Sequence, residues 1–495
     1  MASASQEDAM PGPDILDSRE AGGVFLRGGG MRMVAYAGAV ATSVAATPFV
    51  TRHLHKLSYG RYVTVTSLLL IVAALTEGGI ANLGVREFST GNANERRELM
   101  RSLLGLRIAL SMIGAGGAIL FTLLAGYPQL VVAGTAIASV GLLLANVQVT
   151  LAVPLTARLR LSWLALLDFV GPAVTAAGLI LLVVVGARLL PFFAASVLAF
   201  LVTVAITAVL VRPQISLRPS FALRRWRPLL AQSVVFAAAT ALGAIYFQLV
   251  VIAMSLLASG GAVGIFSLAF RILSVVNGVP LLLVGSAFPI LLRAARDDGA
   301  RLRYAVQRLL EGNLLLGGWL SLLVVAGAPF AVAVMGGPGY AGAAGVLRIL
   351  GVGVVATFLA AVFAFALLAL AAYRTLIAIN AGMVLLAVAL CAVLIPAHGA
   401  SGAAVTTVTL ELALASAYGV ALLSLHPDLR PQLGLAARIV VALAIAFAAA
   451  LLVPLSSVLA ALTGSVILVV AVLALRAFPG ELVAALGGHA GDQRQ

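Results

Sequence analysis

Six ionisable residues stand within or at the ends of long apolar runs: Glu77, Asp168, Arg271, Glu311, Arg348 and Glu411. A charge held in hydrocarbon costs at least ~2.5–3.5 kcal/mol, so such a group faces a partner or a hydrated cavity. Arg271 lies about 14 Å from the nearer end of its run at 1.5 Å per residue, and Glu411 sits close to the middle of its own. A guanidinium at that depth presents a planar fork of donors suited to an oxyanion such as a diphosphate. Arg348 is shallower, and Arg52 and Arg61 flank run ends, where they could meet an anion entering or leaving. Glu77, Asp168 and Glu411 are candidates for coupling to an ion or for charge pairing, Asp168 with Arg158 or Arg160. Glu311, two or three residues into its run, reads as interfacial. Asn277-Gly278 with Pro280 interrupts the run beyond Arg271 and makes a hinge candidate, because proline and glycine free backbone groups and permit bending.

Other chemistries find little support. The pair His53-x-His55 lacks a nearby carboxylate or cysteine, so no metal site is expected. Cys391 is the single cysteine, which excludes an intrachain disulfide. No G-x-x-x-x-G-K-[ST] loop exists and Lys56 is the one lysine, which argues against direct ATP hydrolysis. No cofactor is implied. An enzyme is not expected either, because the loops on the lysine-bearing side are short and lack paired carboxylates.

The elements that must position these residues are membrane helices. Of 495 residues, 62% are hydrophobic and 10% charged, against roughly 25% charged in soluble domains. A membrane helix needs roughly 20 mostly apolar residues. Fourteen runs qualify: 31–52, 60–83, 103–126, 130–153, 163–187, 190–211, 229–257, 262–291, 309–334, 343–371, 375–396, 401–424, 437–454 and 458–477. No alternating segments suggest barrel strands. With the N-terminus inside, 25 of the 31 Lys/Arg fall on the cytoplasmic side, including Arg86, Arg96, Arg97, Arg101 and Arg107 before or at the start of the third run. Arg52, Lys56, Arg61 and Arg188 fall outside. This asymmetry follows the positive-inside rule. The net charge of +14 is therefore mainly topology, and nucleic acid is not an expected partner.

The pattern of runs 1–6 recurs in runs 7–12. Leu57-Ser58-Tyr59-Gly60-Arg61-Tyr62 opens run 2, and Gly261-Ala262-Val263-Gly264-Ile265-Phe266 opens run 8 in the same register. Six is even, so the halves share one orientation, as in transporters built from parallel repeats about an axis along the membrane normal. The expected fold is all-α, about 14 transmembrane helices in two six-helix bundles related by a pseudo-two-fold axis, plus two C-terminal helices. Residues 1–30 form a polar cytoplasmic tail, 31–225 and 226–436 the bundles, 437–478 the extra pair and 479–495 a second cytoplasmic tail.

Three segments in order carry a resemblance: 47–87 (TPFVTRHLHKLSYGRYV…GVRE), Met335-Gly336-Gly337-Pro338-Gly339-Tyr340 with the AGAAGVLRIL that follows, and 373–407 with its Ile395-Pro396-x-x-Gly399-x-x-Gly402 turn. Together they resemble the Wzx-type polysaccharide-export flippases of the multidrug/oligosaccharidyl-lipid/polysaccharide superfamily, across about 400 residues. The chain departs from that family in carrying Gln248 where an acidic residue is common midway along span 7, and in having fourteen spans rather than twelve. The resemblance implies a flippase that moves polyprenyl-pyrophosphate-linked oligosaccharides between leaflets by alternating access. The implied partners are that substrate, membrane lipids, and a polysaccharide polymerase with other assembly proteins, at a bacterial inner membrane with both termini cytoplasmic. A lipid II flippase and a drug or cation antiporter of the same fold are the alternatives. An antiporter for cations should have an acidic cavity, whereas the deepest candidate here is Arg271.

Overall fold

The computed structural model describes residues 19–477 except 78, 214, 216, 217, 298 and 453–455. The predicted C-terminal tail and residues 1–18 of the N-terminal one lie outside these residues, while 19–30, expected to be a disordered tail, are helical here and begin the first helix. Lipid offers the backbone no hydrogen-bond partners, so every spanning segment must satisfy its own N–H and C=O groups. Accordingly, the described residues form helices joined by short turns: α1 (Arg19–Glu77), α2 (Ile80–Thr90), α3 (Ala93–Leu124), α4 (Gln129–Leu151), α5 (Val153–Ala157), α6 (Leu161–Val184), α7 (Leu189–Val211), α8 (Leu223–Leu257), α9 (Gly260–Asp297), α10 (Gly299–Met335), α11 (Ala343–Ala369), α12 (Tyr373–Leu425), α13 (Leu433–Leu452) and α14 (Ser457–Ala474). Among the described residues, eleven helices are long and apolar enough to cross a membrane. Two of them, α1 and α12, break at a single left-handed residue, His55 (φ 56°) and Gly399 (φ 54°), and so hold two spans each. With α8, whose described apolar part is Ala241–Leu257, each of the fourteen predicted spans has its helix. The protein is a multi-pass membrane protein.

The duplication is visible in packing. In the first half the first span of α1 packs on α6, and α4 packs on α3 and α7. In the second half α8 packs on α12, and α11 packs on α10 and α12. The turns repeat as well. Arg158 to Leu161 and Leu370 to Tyr373 form the same four hydrogen bonds in the same order, around Leu159 (φ 52°) and Ala371 (φ 57°). The two segments aligned from sequence meet each other. A Cβ on Gly60 would sit 3.0 Å from the Gly264 nitrogen, and one on Gly264 would overlap the Lys56 carbonyl. Equivalent positions touching across an interface are what a two-fold axis produces, and only glycine permits backbones so close. Helices α13 and α14 pack on each other and on α10, outside the duplication.

Between the halves, the chain is fastened to the first. The Ser220 N–H donates to the Arg101 carbonyl (2.8 Å), Arg225 pairs with Glu98, and Trp226, Leu229 and Leu230 pack on a cluster that includes Met100, Leu103 and Phe88. Gly105 leaves room for this passage, since a Cβ there would overlap the Ser220 carbonyl.

Candidate functional site

A cavity of about 660 Å³ lies between the halves, walled by α1, α4, α6, α7, α8 and α9. Its polar lining comes from hydroxyls and amides, among them Ser43, Thr47, Thr66, Thr175, Gln148 and Gln248. Arg271 on α9 projects into this lining, where its Nη2 donates to Ser43 Oγ and its charge acts on the phenols of Tyr59 and Tyr62. Phe247, Phe266 and Phe270 stack beside it, with ring centroids 4.8 and 5.6 Å apart. Apolar and aromatic walls keep the local dielectric low and strengthen any ion–arginine contact made there. At the arginine-rich end, Asp168 lines the cavity and accepts from Arg32 Nε at 2.7 Å. Its partner is thus Arg32 of span 1 rather than Arg158 or Arg160, because the first span of α1 packs along α6.

The arginine-poor end is sealed. Thr51 donates its hydroxyl to the Met335 carbonyl, and Tyr340 donates to the Thr51 carbonyl at 3.4 Å. Arg52 Nη2 donates to the carbonyls of Val334 (2.8 Å) and Ala333 (3.3 Å). Tyr340 packs edge-on to Tyr59, and burial holds its phenol well above the ordinary tyrosine range. Arg52 is therefore a latch in this conformation, outside the cavity lining. Arg61 is half-buried on span 2 and Arg348 exposed on α11; neither lines the cavity.

The remaining charges separate by half. Glu411 is 4% exposed and stands within the second half, accepting from the Tyr246 hydroxyl and from Thr357 (2.9 Å). Glu77 is exposed at the end of α1, close enough to act on Arg107. Glu311, two or three residues into its run, is 4% exposed, and Gln307 (2.6 Å) and Arg308 (2.9 Å) bind its two oxygens. Gln307 also bonds the Gln432 backbone, so the chain leading into α13 shields the carboxylate. Asn277, Gly278 and Pro280 fall within the continuous helix α9, with both side-chain polar atoms of Asn277 buried and unpartnered among the described residues. His53 donates to the Ala187 carbonyl at 2.8 Å and stacks on Phe192, while His55 is exposed at the kink, so the two diverge. No cluster of three metal-ligating side chains exists among the described residues.

Sequence reasoning missed Arg107 by counting it with the loop arginines. It is 0% exposed inside the first half, with Nη1 donating to the Thr76 carbonyl (2.8 Å) and Nε to Thr150 (3.3 Å). Asn146 completes the network by donating to Thr76 (3.1 Å) and Ser111 (2.8 Å). Its position inside the apolar run that starts at Leu103 was the available signal.

Comparison with known proteins matches this architecture. The family described as polysaccharide biosynthesis protein matches residues 30–295. No curated protein sequence matches. Among solved structures, the lipid II flippase MurJ in an inward closed conformation superposes with a TM-score of 0.71 at 12% identity, over 90% of this chain and 98% of that one. An inward-facing multidrug resistance MATE family transporter of the MOP superfamily follows with TM-score 0.65 at 12% identity, over 78% and 94%. The Vibrio cholerae MATE transporter VcmN gives 0.55 at 17%, over 83% and 99%. At such identities these likenesses show the fold alone, which this chain shares with the lipid II flippase and the MATE transporters.

Proposed function

The chain belongs to the family of polysaccharide biosynthesis proteins, and from that premise we propose that it flips polyprenyl-pyrophosphate-linked oligosaccharides from the cytoplasmic to the outer leaflet. The observation that carries this reading is Arg271, the cation bonded to Ser43 within a hydroxyl-lined cavity between two repeats. A diphosphate needs cationic donors to leave the headgroup region, and sugars need many hydroxyl partners. The arginine-rich end faces the cytoplasm by the positive-inside rule, so this conformation is sealed outward and receives cargo from inside. Rocking of the halves would part the seal, free Arg52 from its carbonyls and present it with Arg61 and Arg348 at the outer mouth. Alternating access of this kind would bend α9 at Asn277, Gly278 and Pro280. Glu411, Glu77 and Asp168 remain the coupling candidates. The polysaccharide polymerase and other assembly proteins are the partners that such a product requires.

The overlap with the lipid II flippase supports a second cargo of the same chemistry, a lipid-linked peptidoglycan precursor, since it extends over 98% of that chain. A cationic drug is a poorer fit, because the cavity's carboxylate, Asp168, is already bound by Arg32.

The test places a lone cysteine beside Arg271 in the cavity lining, Ser274→Cys in a Cys391→Ala background, and labels it with membrane-impermeant thiol reagents from each side. Labelling from the cytoplasmic side, blocked by a polyprenyl-diphosphate sugar, is expected. No labelling from either side in a folded, export-competent protein would overturn the reading. Arg271→Gln should slow flipping by about 10–100-fold, the worth of a charged hydrogen bond. Reconstituted flipping of lipid II against a polyprenyl-diphosphate oligosaccharide separates the two cargoes.

A further inference from the structure

Around the first turn of α3, charges are sorted by sign. Glu87 is bound to Arg86 (2.9 Å), Glu95 accepts from the Asn92 N–H (2.9 Å) in a capping box, and Glu98 pairs with Arg225. On the other side, Arg96, Arg97, Arg158 and Arg212 line one concavity of about 490 Å³, and no carboxylate is among its lining residues. These four arginines come from three connections: α2 to α3, α5 to α6, and the exit from α7.

We infer that this concavity is a binding site for a phosphate-bearing anion, separate from the cavity between the halves. The positive-inside rule requires arginines on this face; it does not require them to converge. Exposed arginines of like charge relieve their repulsion by pointing apart, yet here two of the four are held. Arg96 donates to the Phe88 (2.8 Å) and Ser89 (3.3 Å) carbonyls and lies 5.2 Å from the Phe88 ring centroid. Arg97 bonds Ala93 and Asn94 of its own helix start. Arg158 precedes the left-handed Leu159 and Arg212 caps α7, and both line the concavity as exposed side chains beside the two that are bonded. Phe88 and Ile215, both buried, supply an apolar floor. Guanidinium forks match the tetrahedral oxygens of a phosphate better than a point charge does.

Two sources present that chemistry. The span of α7 ends at Val211, next to Arg212, so the site sits at headgroup depth, where basic pockets bind anionic lipids. A soluble phosphate would use the same donors.

The experiment uses the purified full chain. Native mass spectrometry and thermal stability are measured with cardiolipin, phosphatidylglycerol and phosphatidylcholine, and separately with inorganic phosphate and pyrophosphate. The test variant is Arg158→Gln with Arg212→Gln, both exposed and free to change without disturbing the core. The control is Arg224→Gln with Arg227→Gln, which removes equal charge from the exposed start of α8. Binding of an anionic lipid that weakens about 30-fold in the test variant and holds in the control supports a headgroup site. The same pattern with phosphate or pyrophosphate supports a soluble ligand. No binding of either class, or equal loss in test and control, overturns the inference.

Discussion

Among the described residues, each half buries charge away from the central cavity, Arg107 in the first and Glu411 and Glu311 in the second, so the two halves bury opposite signs. In the first half Arg107 is held by the Thr76 carbonyl and the Thr150 hydroxyl, with one nitrogen, Nη2, left without a partner among the described residues. In the second half Glu411 accepts two hydroxyl hydrogens, from Tyr246 and Thr357. The duplicated architecture thus tolerates a buried ion wherever hydroxyls and helix carbonyls can stand in for water. The difference lies in what each ion can do. A guanidinium stays charged at any physiological pH, so Arg107 is a fixed structural post. A carboxylate can take up a proton, so of Arg107 and Glu411 only Glu411 is a centre whose charge can change during a transport cycle.

Substitutions can break or sharpen that contrast. The largest effect is expected from Arg107→Ala, which empties a fully buried volume and unpairs the Thr76 carbonyl. A loss of about 3–5 kcal/mol follows from a broken buried charge and a new void, read as a sharp fall in thermal stability and folded yield. Glu411→Ala should cost about 2–3 kcal/mol, because two buried hydroxyls lose their acceptor, checked by the same thermal measurement. Glu411→Gln keeps an acceptor for those hydroxyls and should stay within about 1 kcal/mol of the unsubstituted protein. If it proves as damaging as Ala, the carboxylate's charge rather than its shape holds the second half together. Asp168→Asn is expected to do least. Its pair with Arg32 is half exposed, and such pairs contribute at most about 1 kcal/mol, so an unchanged melting transition is the expected result.

Span number and the repeat were legible because hydrophobicity and arginine bias are written locally along the chain. Glu411 was legible as a charge that needs partners for the same reason, since a carboxylate ten residues inside an apolar run would otherwise face hydrocarbon. What escaped reading depended on partners remote in sequence or silent in it. Arg107 looked like a loop arginine because one helical turn separates a headgroup from a core position, and its acceptor is a backbone carbonyl from another helix. The bonds that Arg52 makes in this conformation were silent as well, because the carbonyls of Ala333 and Val334 could come from any residue. The cover over Glu311 was silent too, because nothing in its own run shows that the chain before α13 returns to bond Gln307 beside it. Asp168 had arginines nearby in sequence, and the helix pairing chose Arg32 instead.

The fastening of the passage between the halves has a mechanical consequence. Ser220, Arg225 and Leu230 tie the start of α8 to α3, so the second half hangs from a bracket instead of a slack tether. From Leu230 to the cavity residue Phe247, α8 is a rod about 25 Å long at 1.5 Å per residue. Any torque that rocks the second half is delivered through this rod to the first turns of α3, the helix that carries Arg107. Flexure in α8 and load on α3 are therefore two ends of one lever.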